Sequence, residues 1–174
     1  MNAKHFLVLV LIGLIFTACT ENRSKSIEVF CADILDLNSD EEKIFFLTAI
    51  WDSDQIVRQS RKRVSQDSMQ KVDRLNLQKI ECYIYNFEYP SKDWNYKANL
   101  APWVVLHHSG KLKKKEHFSW LEDAYRSGEL KEKYFVTFLD RLHFMEKGER
   151  LDIGTSYENK DRIERLIEEL HFDE

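Results

Sequence analysis

Apolar residues recur at three- and four-residue intervals along most of this chain, the spacing of one face of an α-helix. Ser39-Asp-Glu-Glu42 has the S-x-x-E form of a capping box and opens the first such segment. The stripe that follows runs Ile44, Leu47, Trp51, Asp54 and Arg58, passing from apolar to charged along one face. A second helix is expected to start near Ser65 to Asp67, to carry Val72, Leu75, Leu77, Ile80, Tyr83, Ile84 and Phe87, and to stop at Pro90. A third is expected from about Asn95, with Pro102 marking either its true start or a kink. A fourth is expected over about Lys111 to Arg126 and a fifth over about Glu129 to Lys147, closed by Gly128 and Gly148. A last helix, Glu158 to Phe172, sets Ile163, Leu166, Ile167 and Leu170 on one face, and residues 27–37 read as a short helix ahead of the rest. Five glycines and two prolines in 174 residues argue against a turn-rich β-sandwich and for helices. The fold class expected is all-α, a compact array of five to seven helices.

The start of the chain has a different pattern. Lys4 and His5 precede an unbroken apolar run of 11 residues, FLVLVLIGLIF, followed by Thr17, Ala18 and Cys19. A basic start, a short apolar run and small residues before a cut point are the layout of a secretory signal. A membrane-crossing helix needs roughly 20 apolar residues, so the run is too short for a permanent span. Cysteine directly after Thr-Ala resembles the bacterial lipobox, in which the cysteine is lipidated and becomes the new N-terminus. Phe16 stands where leucine is usual. The expected organisation is a signal peptide over 1–18, a lipidated cysteine and polar tether over 19–26, and a single helical domain over 27–174. The expected localisation is exported and membrane-anchored through a lipid on Cys19. Thr20 is not aspartate, which by the enteric sorting rule favours the outer membrane or cell surface.

Cutting at Cys19 leaves 156 residues, a one-domain length, and removing Lys4 takes the formal charge from −4 to −5. An acidic chain is a poor partner for nucleic acid, which rewards basic patches, and no nucleic-acid partner is expected. Cys31 and Cys82 either pair, as exported proteins allow, or stand as two small buried apolar residues. No C-x-x-C occurs, and neither a zinc knuckle nor a thioredoxin-type pair is indicated.

Recurrent catalytic motifs are absent: there is no G-x-S-x-G, P-loop, H-E-x-x-H or dinucleotide fingerprint. Five polar groups interrupt the apolar stripes instead. They are Asp54-Gln55-x-x-Arg58, Asp73-x-x-Asn76, His107-His108, Asp140-Arg141, and the loop Gly148 to Ser156, which contains Thr155. Buried charge is costly unless paired, so each interruption needs a partner or a ligand. Asp54 and Arg58 are four apart and share one helix face; Leu47 and Trp51 extend that face inward. The order of these groups resembles the bacterial domain of unknown function 6624, over about Asp54 to Thr155. Asp54, Gln55 and Arg58 match its D-Q-x-x-R, and Asp73 and Asn76 its D-x-x-N. His108 matches its histidine with His107 in place of a glutamine, and Asp140 and Arg141 match its D-R. Gly154 and Thr155 match its last turn, where Ile153 and Ser156 replace tyrosine and glutamine. The resemblance implies a shared site without naming a reaction.

Two functions from different classes fit these residues. One is a binding or interaction module whose polar cleft takes a small ligand or an envelope protein through Gln55, Arg58, Asp73, Asn76, Arg141 and Thr155. The other is a small hydrolase with His108 as general base, Asp54 or Asp140 orienting it, and Arg58 or Arg141 holding an anionic or carbonyl oxygen. The missing turn tyrosine and glutamine favour the first. Adjacent residues on a helix project about 100° apart, so His107 and His108 do not share an ion, and neither a metal nor a cofactor is expected. The aromatic stretch Tyr83 to Tyr96 is read as core, or else as a ligand or partner surface. The run Lys111 to Lys115 is read as a solvated helix start, or else as a contact for anionic headgroups.

Overall fold

The computed structural model describes residues 31–32, 34–59, 64–150 and 160–170. The expected signal peptide, Cys19, the tether and the turn containing Thr155 lie outside the described residues. The chain divides into two units, Met1–Asn38 and Ser39–Glu174. In the first, Cys31, Ala32, Ile34 and Leu35 are helical. Cys31 and Cys82 are both disulfide-bonded.

The second unit is all-α. Its described residues form seven helices: α1 Asp40–Gln59, α2 Gln66–Asn86, α3 Tyr96–His108, α4 Lys111–Glu116, α5 Phe118–Arg126, α6 Glu132–Lys147 and α7 Lys160–Leu170. The capping box is present: the Glu42 amide donates to Ser39 Oγ at 3.2 Å and the Ser39 amide donates to Glu42 Oε2 at 3.0 Å. Ser65 and Asn95 cap α2 and α3 in the same way, accepting from the amides of Ser68 and Ala98. Gly148 ends α6 at φ 79°, in the left-handed region where only glycine is free of strain.

The structure decides one open expectation about the elements and corrects two others. Pro102 lies inside α3 and is not its start. The stretch expected as one helix from Lys111 to Arg126 is two, because His117 leaves helical geometry at φ −107°, ψ 14°. The second helix also ends earlier than Pro90, at Asn86, with the Phe87 amide donating to the Tyr83 carbonyl.

Helix α3 is the centre of the unit. It buries Ala98, Leu100, Ala101, Val104, Val105 and Leu106 among Leu47 and Ile50 of α1, Ile80 of α2 and Phe135, Phe138 and Leu142 of α6. Each large side chain fully buried this way contributes roughly 1.5–3 kcal/mol. The aromatic stretch divides between core and surface. Tyr83 is buried against Phe46 and Phe87, and Tyr89 packs on Trp120, whereas Tyr85 and Tyr96 are exposed.

Candidate functional site

Three helices bring the polar groups together. Asp54 lies on the inward stripe of α1 and is 1% exposed. His108, the last residue of α3, sets Nδ1 3.1 Å from Asp54 Oδ1. A carboxylate oxygen only accepts, so Nδ1 carries the proton and Nε2 is the nitrogen left for a ligand. Arg58 Nη1 lies 3.0 Å from the same oxygen, and Gln55 Nε2 donates to Asp54 Oδ2 at 2.9 Å. Gln59 donates to Gln55 Oε1 and so fixes which way that amide faces. Arg58 then reaches α2, donating from Nη2 to Asp73 Oδ1 at 2.7 Å. One buried carboxylate therefore joins α1 to α3 through His108, and its arginine joins α1 to α2.

Asn76 is one turn beyond Asp73, is 2% exposed, and has no partner for Nδ2 among the described residues. His107 stacks on Trp103 at 5.1 Å, and Trp103 Nε1 donates to the Tyr134 carbonyl at the start of α6. The His107 Nδ1 and the Arg141 Nε are buried and likewise lack partners among the described residues. Native interiors leave few such atoms unsatisfied, and they concentrate where a ligand or water supplies the missing bond.

The expected solvated lysine run is corrected. Lys114 is 0% exposed. Its ammonium donates to the carbonyls of Leu106 and His107 at the end of α3, the first of which also accepts from the amide and hydroxyl of Ser109, and lies 5.3 Å from the Phe138 ring. Burial, and then the charge of Arg141, pull its pKa down to about 7. His107 is depressed to about 3, first by burial and then by the charges of Lys114, His108, Arg141 and Arg58. Its imidazole is neutral at pH 7. The other lysines of the run are in ion pairs: Lys113 with Glu81 and Glu116, and Lys111 and Lys115 with Glu146.

Asp140 is placed 3.4 Å from Arg150, and no hydrogen bond or ion pair among the described residues joins it to His108. Of the proposed site residues, Asp54, Gln55, Arg58, Asp73 and His108 form one bonded network, with Asn76 beside it. Sequence reasoning missed Lys114. Its signal was spacing: Lys114 precedes the buried Phe118 and Leu121 by four and seven residues, on the stripe.

Among the described residues, Glu81, Glu116 and His117 group within 4.8 Å of one another, the reach of a metal ion. The Lys113 ammonium already lies 2.6 Å from Glu81 and 2.8 Å from Glu116 and supplies the positive charge there. His117 thus belongs with Glu81 of α2 (3.2 Å), away from His107 and His108. No protein-family model, no curated protein and no solved structure matches this chain.

Proposed function

We propose that this protein is an exported lipoprotein, held to a membrane by a lipid on Cys19, whose helical unit binds a small polar ligand at the Asp54–His108 network. The anchor rests on the basic start, the 11-residue apolar run and the Thr17-Ala18-Cys19 sequence. The disulfide-bonded state of Cys31 and Cys82 suits an oxidising compartment. The shared order of D-Q-x-x-R, D-x-x-N, histidine and D-R supports kinship with the domain of unknown function 6624.

The binding reading is carried by one observation. His108 is 22% exposed at its side chain, while the Asp54 that anchors its Nδ1 is buried and bonded on both oxygens. With Nδ1 held by Asp54, Nε2 of this part-exposed ring is the nitrogen open to a ligand, and buried atoms on Asn76, His107 and Arg141 that find no partner among the described residues add capacity for one. A thermal-shift screen of small polar compounds on the full chain tests it. Hits whose effect disappears in His108→Gln support the site, and hits indifferent to that change put the ligand elsewhere. For the anchor, incorporation of tritiated palmitate is expected in cells and is lost in Cys19→Ala.

A second reading, hydrolysis, is favoured by the Asp54–His108 bond itself. An imidazole held in that tautomer is set to accept a proton from water at Nε2, with Arg58 or Arg141 holding the oxygen on which charge develops. Turnover assays on the hits decide between the two, and binding without product removes the hydrolase.

A further inference from the structure

Arg141 makes no hydrogen bond and no ion pair among the described residues, and its Nε is buried. Its surroundings are set by the packing of α3 on α6. Trp103 bonds the Tyr134 carbonyl, and the Lys114 ammonium, tied to the His107 carbonyl, lies over Phe138. Tyr134, Phe138 and Arg141 follow one another at four and three residues on α6, as Trp103 and His107 do at four on α3. The same register carries Arg141 to the end of α3, beside His107 and Lys114.

This end of α3 therefore gathers a guanidinium and a buried ammonium, with no carboxylate of the described residues in ion-pair distance of either. Arg58, the other arginine near it, is already neutralised by Asp54 and Asp73. The two cations depress one another's surroundings: the Lys114 ammonium and the His107 ring are both held down in pKa with Arg141 among the causes. Desolvated positive charge is stable when an anion shares its site, and a guanidinium fork matches the two oxygens of a carboxylate or phosphate.

We propose that Arg141 is an oxyanion-binding residue, and that the ligand of this protein carries a carboxylate or phosphate seated on Arg141 beside His107. Lys114 sits behind it and adds positive charge, and the neutral His107 ring offers its unpartnered Nδ1 at the edge of the same place. The ligand's remaining polar part would then face His108. This proposal rests on the ligand-site reading above and narrows it to anions.

The test is a titration of the full chain with inorganic phosphate, and separately with acetate, at constant ionic strength with chloride as the blank. Arginine side-chain and histidine ring resonances are followed by nuclear magnetic resonance. The expected result is a saturable shift of the Arg141 Nε–H and His107 ring signals with at least one of the two anions, lost in Arg141→Gln. Should that variant not fold, Arg141→Lys keeps the charge without the fork and is expected to bind at least tenfold more weakly. Absence of a saturable shift at Arg141 with both anions overturns the proposal, as does a response confined to Lys111, Lys113 and Lys115. If both anions are silent while a neutral compound from the screen moves His108, the anion assignment fails and the ligand site stands. If nothing moves His108 or Arg141, both fail.

Discussion

Asp54 and His108 are 54 residues apart in the chain and 3.1 Å apart in the fold, and the oxygen they share also receives Arg58. Two demands meet on that oxygen. The carboxylate is buried and requires compensation, and the histidine requires orientation. Arg58 supplies the first, because it is charged and reaches Asp73 as well. His108 gains the second.

This division predicts an asymmetry in stability. Arg58→Ala leaves the buried Asp54 carboxylate without its cation and is expected to cost about 3 kcal/mol in urea unfolding. His108→Ala leaves Asp54 with Arg58 and Gln55 and is expected to cost about 1 kcal/mol, the worth of one hydrogen bond. Equal losses would show that His108 is a structural member of the network.

Asp54→Ala is expected to be as costly as Arg58→Ala, and the double variant no worse than either single one, because both changes break the same pair. Additive losses in the same urea series would mean that Arg58 is held chiefly by Asp73.

Acid sensitivity is expected to track His107. Its folded pKa of about 3 lies below the ordinary value of 6.5, so between these limits the unfolded chain binds a proton that the folded one does not. Stability from this group is present above pH 6.5 and is lost as pH falls toward 3, at no more than about 1.4 kcal/mol per pH unit. His107→Gln is expected to flatten the difference between unfolding at pH 6.5 and at pH 4. An unchanged slope would place His107 in water.

Lys114 gives a second window of the same sign on the alkaline side. Its folded pKa of about 7 is below the ordinary lysine value of 10.5, so the unfolded chain again holds the extra proton, now between pH 7 and 10.5. Stability is therefore expected to rise as pH increases through that range, and the rise is expected to vanish in Lys114→Met. Unfolding midpoints at pH 7, 8 and 9 measure it, and a variant that keeps the parent's slope would contradict the buried ammonium.

Much of the helical frame was readable before any coordinate. Ser39, Ser65, Asn95 and Gly148 carry their signals within a few residues, since caps are local chemistry. The inward aim of Asp54 was also readable, because Leu47 and Trp51 extend its stripe. What the sequence did not reveal was long-range. The break at His117 lies within an unbroken helical stripe, and the burial of Lys114 hides in a run of lysines whose other members are paired at the surface. Asp140 looked equivalent to Asp54 until the fold set it beside Arg150. No spacing rule distinguishes two aspartates on different helices when the third partner comes from elsewhere in the chain.

The fastening of α3 by Lys114 also has a consequence for the order of biosynthesis. Asp54, Arg58, Asp73 and His108 all leave the ribosome before the residue that bonds the last turn of α3. A nascent chain that ends at His108 holds every member of the bonded network, yet lacks Ser109, which bonds the Leu106 carbonyl, and Lys114, which bonds the carbonyls of both Leu106 and His107. Maturation of the site waits for α4, and a truncation before Lys114 is expected to yield a chain with the right residues and a frayed helix end.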